Sequence, residues 1–192
     1  MKRDHVTFQR RPFLTPIWLT AIAAVLALSP MIFAAWVWAT ATAGSTTVIV
    51  IRHAEKDLTV SATDPPLTPA GEARAARLAG MFGDAQGLGH VDAIYVSPAL
   101  RNRLTAGPLS ARLGLPAVVA PADDPQGLAR RVLREHTGGT VLIIGHSDTV
   151  PQIVAALSGN SKIPELGDQE YGTMYVVTVP RIGHAKVLRL SY

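Results

Sequence analysis

The chain has no cysteine among its 192 residues, which excludes disulfides, thiolate metal sites and a cysteine nucleophile. It also lacks any basic tract interleaved with aromatics, so nucleic acid is not an expected ligand. The net charge of +4 does not change that conclusion, because the excess sits at one end. Residues 1–44 hold Lys2, Arg3, Arg10 and Arg11 against Asp4, leaving 14 basic and 13 acidic residues from Ser45 onward. Internal repeats and low-complexity tracts are missing as well. The length fits one domain (45–192) behind an N-terminal signal or anchor segment (1–44).

That leading segment is read from its charge pattern. A basic stretch ending at Arg10-Arg11 precedes an uncharged run over about 17–39, long enough to cross a bilayer. Trp18 near one end and Trp36 with Trp38 at the other suit interfacial anchoring, and the basic flank predicts that the remainder is exported. Two readings follow. The run is long for a signal-peptide core, which predicts an uncleaved inner-membrane anchor with the domain facing the periplasm. The small residues Ala39-Thr-Ala-Thr-Ala-Gly44 offer cleavage after Ala41 or Ala43, which predicts a released domain. Gln9-Arg-Arg-Pro-Phe-Leu14 resembles a twin-arginine export signal. Pro30 is expected to kink the apolar helix or to mark its boundary.

From Thr46 short β-branched runs alternate with amphipathic segments. Strands are expected over 47–51, 93–96, 117–120, 141–144, 174–179 and 185–190, the last two joined as a hairpin. Helices are expected from Thr68-Pro69 to about Phe82, from Ala99 to about Leu113, from Pro125 to His136 and over Val150–Leu157. Gly107-Pro108 should kink or split the second of these. Such alternation predicts a three-layer α/β/α sandwich with a mainly parallel central sheet.

Ligands of open α/β sheets bind beyond the carboxyl ends of the strands, and three polar clusters fall there. They are Arg52-His53-Ala-Glu55-Lys56, Ser97-Pro98 leading to Arg101, and Gly145-His146-Ser147. Two rival chemistries fail on the residues. His53-Ala-Glu55 matches half of a zinc-deaminase motif whose other half needs cysteines. Gly145-His-Ser147-Asp-Thr149 lacks the closing glycine of a serine-hydrolase elbow.

Four ordered motifs resemble the histidine phosphatase superfamily, with its phosphoglycerate mutase-like fold, in a compact bacterial form. Arg52-His53-Ala54-Glu55 is similar to the opening Arg-His-x-Glu, and Leu67-Thr-Pro-Ala-Gly71 to the Leu-Thr-x-x-Gly that follows. Ser97 to Ala106 is similar to the segment carrying the second pocket arginine, and Gly145-His146-Ser147 to the second histidine motif. The resemblance runs from about Val48 to the C-terminus. It implies a phosphatase with His53 as nucleophile, Arg52, Arg101 and His146 as a phosphate cradle, and a phosphohistidine intermediate hydrolysed by water. It implies no metal and no cofactor. The substrate would be a phosphorylated small molecule or a phosphoprotein, and the membrane is a partner only through an uncleaved leader. Paired arginines should depress the pKa of His53 by like-charge repulsion.

For the proton donor Asp148 is the first candidate, lying two residues beyond His146, although compact relatives are expected to carry asparagine there. Glu55, Asp123 and Asp124 stay open, with Glu55 read also as support for the pocket. Leu104 stands where many relatives have glutamine. Arg103, His5, His90, His136 and His184 are read as ordinary surface or loop residues. The competing functions are an inactive relative that binds phosphorylated envelope components and, behind it, a phosphomutase.

Overall fold

The computed structural model describes residues 17–42, 44–61, 63–83 and 90–192. The chain divides into two compact units, Met1–Thr42 and Ala43–Tyr192.

Among the described residues of the first unit one helix, α1, spans Ile17–Thr42. Its residues Trp18–Trp38 have a mean hydropathy of 2.0 and are long and apolar enough to cross a membrane. Pro30 does not bound the helix, contrary to one of the two expectations. Proline has no N–H for the carbonyl of Leu26, and the Ser29 hydroxyl donates to that oxygen instead at 3.4 Å. The cleavage position after Ala41 lies inside helical chain. The basic flank and Gln9–Leu14 lie outside the described residues, as does Ala43.

The second unit is built on a six-stranded sheet ordered β3-β2-β4-β1-β5-β6. The strands are β1 (Thr46–Arg52), β2 (Ala93–Val96), β3 (Ala117–Val119), β4 (Thr140–Gly145), β5 (Thr173–Val179) and β6 (Lys186–Ser191). The helices are α2 (Pro69–Gly83), α3 (Leu100–Leu113), α4 (Pro125–Glu135) and α5 (Thr149–Ser158). The first four strands pair in parallel; β5 runs antiparallel to β1, and β6 antiparallel to β5. This is the three-layer, mainly parallel sandwich expected from the alternation.

The unbroken apolar runs of β1 and β4 follow from burial on both faces. Val48, Val50, Val141 and Ile143 pack with Ala129 and Val132 of α4 and Val150, Ile153 and Leu157 of α5. Ile49, Ile51, Leu142 and Ile144, pointing the other way, pack with Leu78 of α2 and Ala106 and Leu109 of α3. Each fully buried Val or Ile contributes roughly 1.5–3 kcal/mol, so a polar residue on either face of β1 would be costly.

Three local details shape the site. Thr68 caps α2, its hydroxyl accepting from Gly71 N at 3.1 Å. Gly71 lets that helix close on the chain after β1, for a Cβ there would stand 2.4 Å from the Glu55 carbonyl oxygen. α3 is not split at Gly107-Pro108. The carbonyl that loses its donor to Pro108 is that of Leu104, on the exposed side of the helix, where water can replace the N–H.

Candidate active site

Strand register brings the histidines together. Arg52, the last residue of β1, is the parallel partner of Gly145, the last of β4. His53 and His146 therefore leave adjacent strands side by side, and His53 N donates to Gly145 O at 3.0 Å. The two imidazole centroids are 5.4 Å apart, their planes 65° to one another. On the far side of β4, Val96 pairs with Ile144, which carries Ser97 to the same end of the sheet.

His53 is 3% exposed. Its Nδ1 stands 2.8 Å from the carbonyl oxygen of Ala54, which can only accept, so Nδ1 carries the proton and Nε2 presents a lone pair. Burial, followed by the positive field of Arg101 and the proximity of His146 and Arg52, lowers its pKa from 6.5 to about 3. The depression expected from the sequence is present, but its main cause is removal from water rather than the arginines.

Around His146 a polar chain forms. Arg101 Nη2 donates to His146 Nδ1 at 3.4 Å, leaving the proton of a neutral ring on Nε2, which donates to Ser97 Oγ at 2.9 Å. Burial and then Arg101 lower the pKa of His146, in keeping with a neutral ring. Arg101 is set by the first turn of α3. Asn102, fully buried, donates from Nδ2 to Ile144 O at 2.8 Å and to Gly145 O at 3.3 Å. Thr105 accepts from Ala54 N at 3.0 Å and donates to Arg101 O at 2.7 Å. From the loop after β1, Asp64 accepts from Leu100 N at 2.8 Å and stands 3.8 Å from Arg101 Nη1.

Arg52 is also 3% exposed, and its Nη1 donates to the carbonyls of Gly167 at 2.8 Å, Asp168 at 3.0 Å and Glu170 at 3.4 Å. The Tyr171 ring covers its guanidinium, Cζ lying 4.2 Å from the ring centroid. Nε of Arg52 and Nε of Arg101 are both buried without a hydrogen-bond partner. Arg52, His53, Lys56, Arg101, His146 and Asp148 line a cavity of about 590 Å³. Two permanently charged forks, a lysine and a neutral imidazole with a free lone pair suit a small dianion.

The four proton-donor candidates separate. Asp148 lines the cavity and caps α5, accepting from Thr149 N at 2.9 Å. Asp123 lines the same cavity and also an adjoining groove of about 690 Å³ with Gln126, Arg130 and Gln152. Asp124 is spent on capping α4, accepting from Gly127 N at 2.7 Å. Glu55 faces a different recess and is gripped by Arg74, through bonds of 3.0 Å from Nε and 2.7 Å from Nη2. That hydrogen bonding holds its pKa below the usual carboxylate value, which suits a charged brace and not an acid.

Among the residues read as ordinary, Arg103, His90 and His184 are exposed, and His5 lies outside the described residues. His136 differs. It caps the end of α4 and its Nε2 lies 3.0 Å from the Tyr95 hydroxyl. Sequence reasoning placed Ser97 in a polar cluster at a strand end without a role of its own, and gave none to Asn102, Thr105, Asp64 or Tyr171. Asn102 and Thr105 carried a signal, as polar residues one helical turn apart on an otherwise apolar face.

The histidine phosphatase superfamily (branch 1) model matches residues 48–122, which takes in Arg52, His53 and Arg101; His146 lies beyond the matched stretch. No curated protein matches the chain in sequence. Among solved structures, a mycobacterial glucosyl-3-phosphoglycerate phosphatase is similar at a TM-score of 0.59 and 17% identity, over 74% of this chain and 97% of that one. A proposed phosphohistidine phosphatase of Nakamurella multipartitia gives 0.53 and 24%, over 77% and 96%. A phosphoserine phosphatase of Entamoeba histolytica in complex with phosphoserine gives 0.58 and 16%, over 74% and 94%. These likenesses carry the fold, which is the phosphoglycerate mutase-like one.

Proposed function

We propose that the chain is a member of the histidine phosphatase superfamily, a reading that the motifs and the family match support, and that it hydrolyses a phosphomonoester or a protein phosphohistidine, with His53 carrying the phosphoryl group. One observation carries this reading. The two imidazoles lie 5.4 Å apart, and one ring spends its only N–H on a backbone carbonyl in a cavity lined by the buried Arg52 and the partly exposed Arg101.

In the first displacement the lone pair of His53 Nε2 attacks phosphorus, a new N–P bond forms and the bond to the leaving group breaks, P–O in a phosphomonoester and P–N in a phosphohistidine. Arg52 and Arg101 hold the equatorial oxygens, where the developing charge sits. A bound dianion reverses the local field at His146, raises its pKa and lets a second N–H form on the ring. In the second displacement water attacks phosphorus, the N–P bond breaks and the lone pair returns to Nε2. No metal or cofactor enters either step. Asp148 is the first choice for protonating the leaving oxygen and for taking the proton back from water. Asp123 stands second, at the junction with the groove that a leaving group would follow.

Leaving-group dependence tests the donor. Asp148→Asn should lower kcat/KM on an alkyl phosphate by about a hundredfold, yet leave p-nitrophenyl phosphate within about threefold, since nitrophenolate departs unprotonated. An equal loss on both substrates would remove Asp148 from the acid's role; Asp123→Asn is then the variant to show the split. The engagement of Asp148 with Thr149 N favours a second reading, a module that binds phosphorylated groups without turnover. Purified chain that binds vanadate and never releases p-nitrophenol would establish that reading over ours.

The same proposal assigns 1–44 to export and 45–192 to the phosphatase domain, anchored in the inner membrane and facing the periplasm. The apolar Trp18–Trp38 helix supports it. Intact mass of the protein from the membrane fraction should show the full chain. A start at Thr42 or Gly44 would mean a cleaved leader and a released domain.

A further inference from the structure

Arg52 is held in an unusual way for a residue assigned to a phosphate cradle. Its partners are backbone carbonyls and an aromatic face rather than a carboxylate. Carbonyl dipoles and a π-face orient a guanidinium without cancelling its charge, so the full cation stays available to a dianion. Arg74 makes the contrast, its charge spent on Glu55.

Topology explains how those partners arrive. β5 runs antiparallel to β1 with Met174 opposite Ile51, so the residues leading into β5 reach the carboxyl end of β1. Tyr171 lies just ahead of that strand and is nearly buried, its ring centroid 6.1 Å from that of His53. The turn before it is closed by its own bonds. Glu170 N donates to Gly167 O at 2.9 Å, and Gly167 N donates to the Glu170 carboxylate at 3.2 Å. That carboxylate is fixed in turn by Thr173 and by Arg189 of β6.

We propose that Tyr171 is a positioning residue whose ring, with the carbonyls of Gly167, Asp168 and Glu170, clamps Arg52 so that the rest of its fork faces the imidazole pair. The proposal rests on the phosphatase reading above. With Nη1 occupied by the turn, Nε buried and the ring covering one face, Nη2 is the donor left for phosphate oxygens. The aromatic hydroxyl is not needed for the clamp; the ring is.

Two substitutions in the full chain separate positioning from space-filling. Tyr171→Phe keeps the ring over Arg52, whereas Tyr171→Leu keeps apolar volume and removes the π-face. The expected result is wild-type kcat/KM within about twofold for Tyr171→Phe and a loss of about tenfold or more for Tyr171→Leu. Inhibition by vanadate should weaken in parallel in the leucine variant only, with both variants melting near the wild-type temperature. Wild-type turnover and vanadate inhibition in Tyr171→Leu would overturn the proposal, as would equal losses in the two variants. A wild-type chain that neither turns over p-nitrophenyl phosphate nor binds vanadate would instead remove the phosphatase reading, and this inference with it.

Discussion

His53→Ala is expected to lower kcat on p-nitrophenyl phosphate by at least about a thousandfold, leaving whatever the arginine cradle can do with water alone. The expectation comes from the tautomer. Only one ring nitrogen of His53 faces the cavity with a lone pair, because the other gives its proton to Ala54 O at 2.8 Å. With the pKa lowered to about 3 by burial and by Arg101, the nucleophile is in its reactive form throughout the weakly acidic and neutral range. His53 should therefore not set the acid limb of the pH–rate profile. A rapid quench with radioactive substrate should trap label that is lost in acid and kept in alkali, and the alanine variant should trap none. Equal turnover by the two proteins would end the nucleophile assignment.

The same burial has a cost in stability, with a sign that can be checked. The unfolded chain takes up a proton at this residue as pH falls below 6.5, while the folded chain resists until about 3. Stability contributed by the neutral ring is thus present above 6.5 and is lost as pH drops through that window. The loss reaches at most about 4–5 kcal/mol, by linkage. His53→Ala should unfold less readily in mild acid than the wild type while being inactive. Opposite movement of stability and turnover marks a residue retained for chemistry and not for the fold.

Much of the site was legible because buried parallel strands advertise themselves. β1 and β4 read as unbroken apolar runs, and each stops at a polar cluster where the sheet ends, so Arg52, His53 and His146 could be placed before any coordinates. Arg101 followed from its motif. Less visible were contacts that depend on strand direction and on helix approach. The hairpin of β5 and β6 was apparent, but not that β5 runs antiparallel to β1, and without that direction Tyr171 has no connection to Arg52. Glu55 looked available for catalysis because nothing in its neighbourhood announced Arg74, 19 residues on; the pair forms only where Gly71 lets α2 close on the loop. Pro30 was read as a kink or a boundary, and Gly107-Pro108 as a kink or a split, from the missing N–H alone. The lost donor at Pro30 is replaced by the Ser29 hydroxyl, and Pro108 deprives a carbonyl on an exposed face. Local rules located the polar ends of the strands, while the pieces that orient those side chains belong to the assembled fold.

Arg101→Ala should lower kcat/KM by about a hundred- to a thousandfold, since a charge-assisted fork at the transferred group is lost. Arg101→Lys keeps the charge without the planar pair of donors, and is expected to remain at least about tenfold below wild type. A second consequence distinguishes loss of this guanidinium from general damage. Arg101 is the foremost electrostatic cause of the lowered pKa at both His53 and His146, behind burial in each case. Its removal lets both values rise part of the way toward 6.5, so each ring takes up a proton at higher pH and protonation of His53, which does not limit the wild type, begins to shift the acid limb of kcat/KM toward neutrality. The exposed Arg103, two residues along the same helix, supplies the control; Arg103→Ala should change neither rate nor profile. The fold should survive both changes, because Asp64 keeps its bond to Leu100 N and α3 stays tied to β4 through Asn102. A variant lacking Arg101 with wild-type kcat/KM and an unmoved acid limb would put the guanidinium out of reach of phosphate, and the cradle would have to be rebuilt around Arg52 and Lys56.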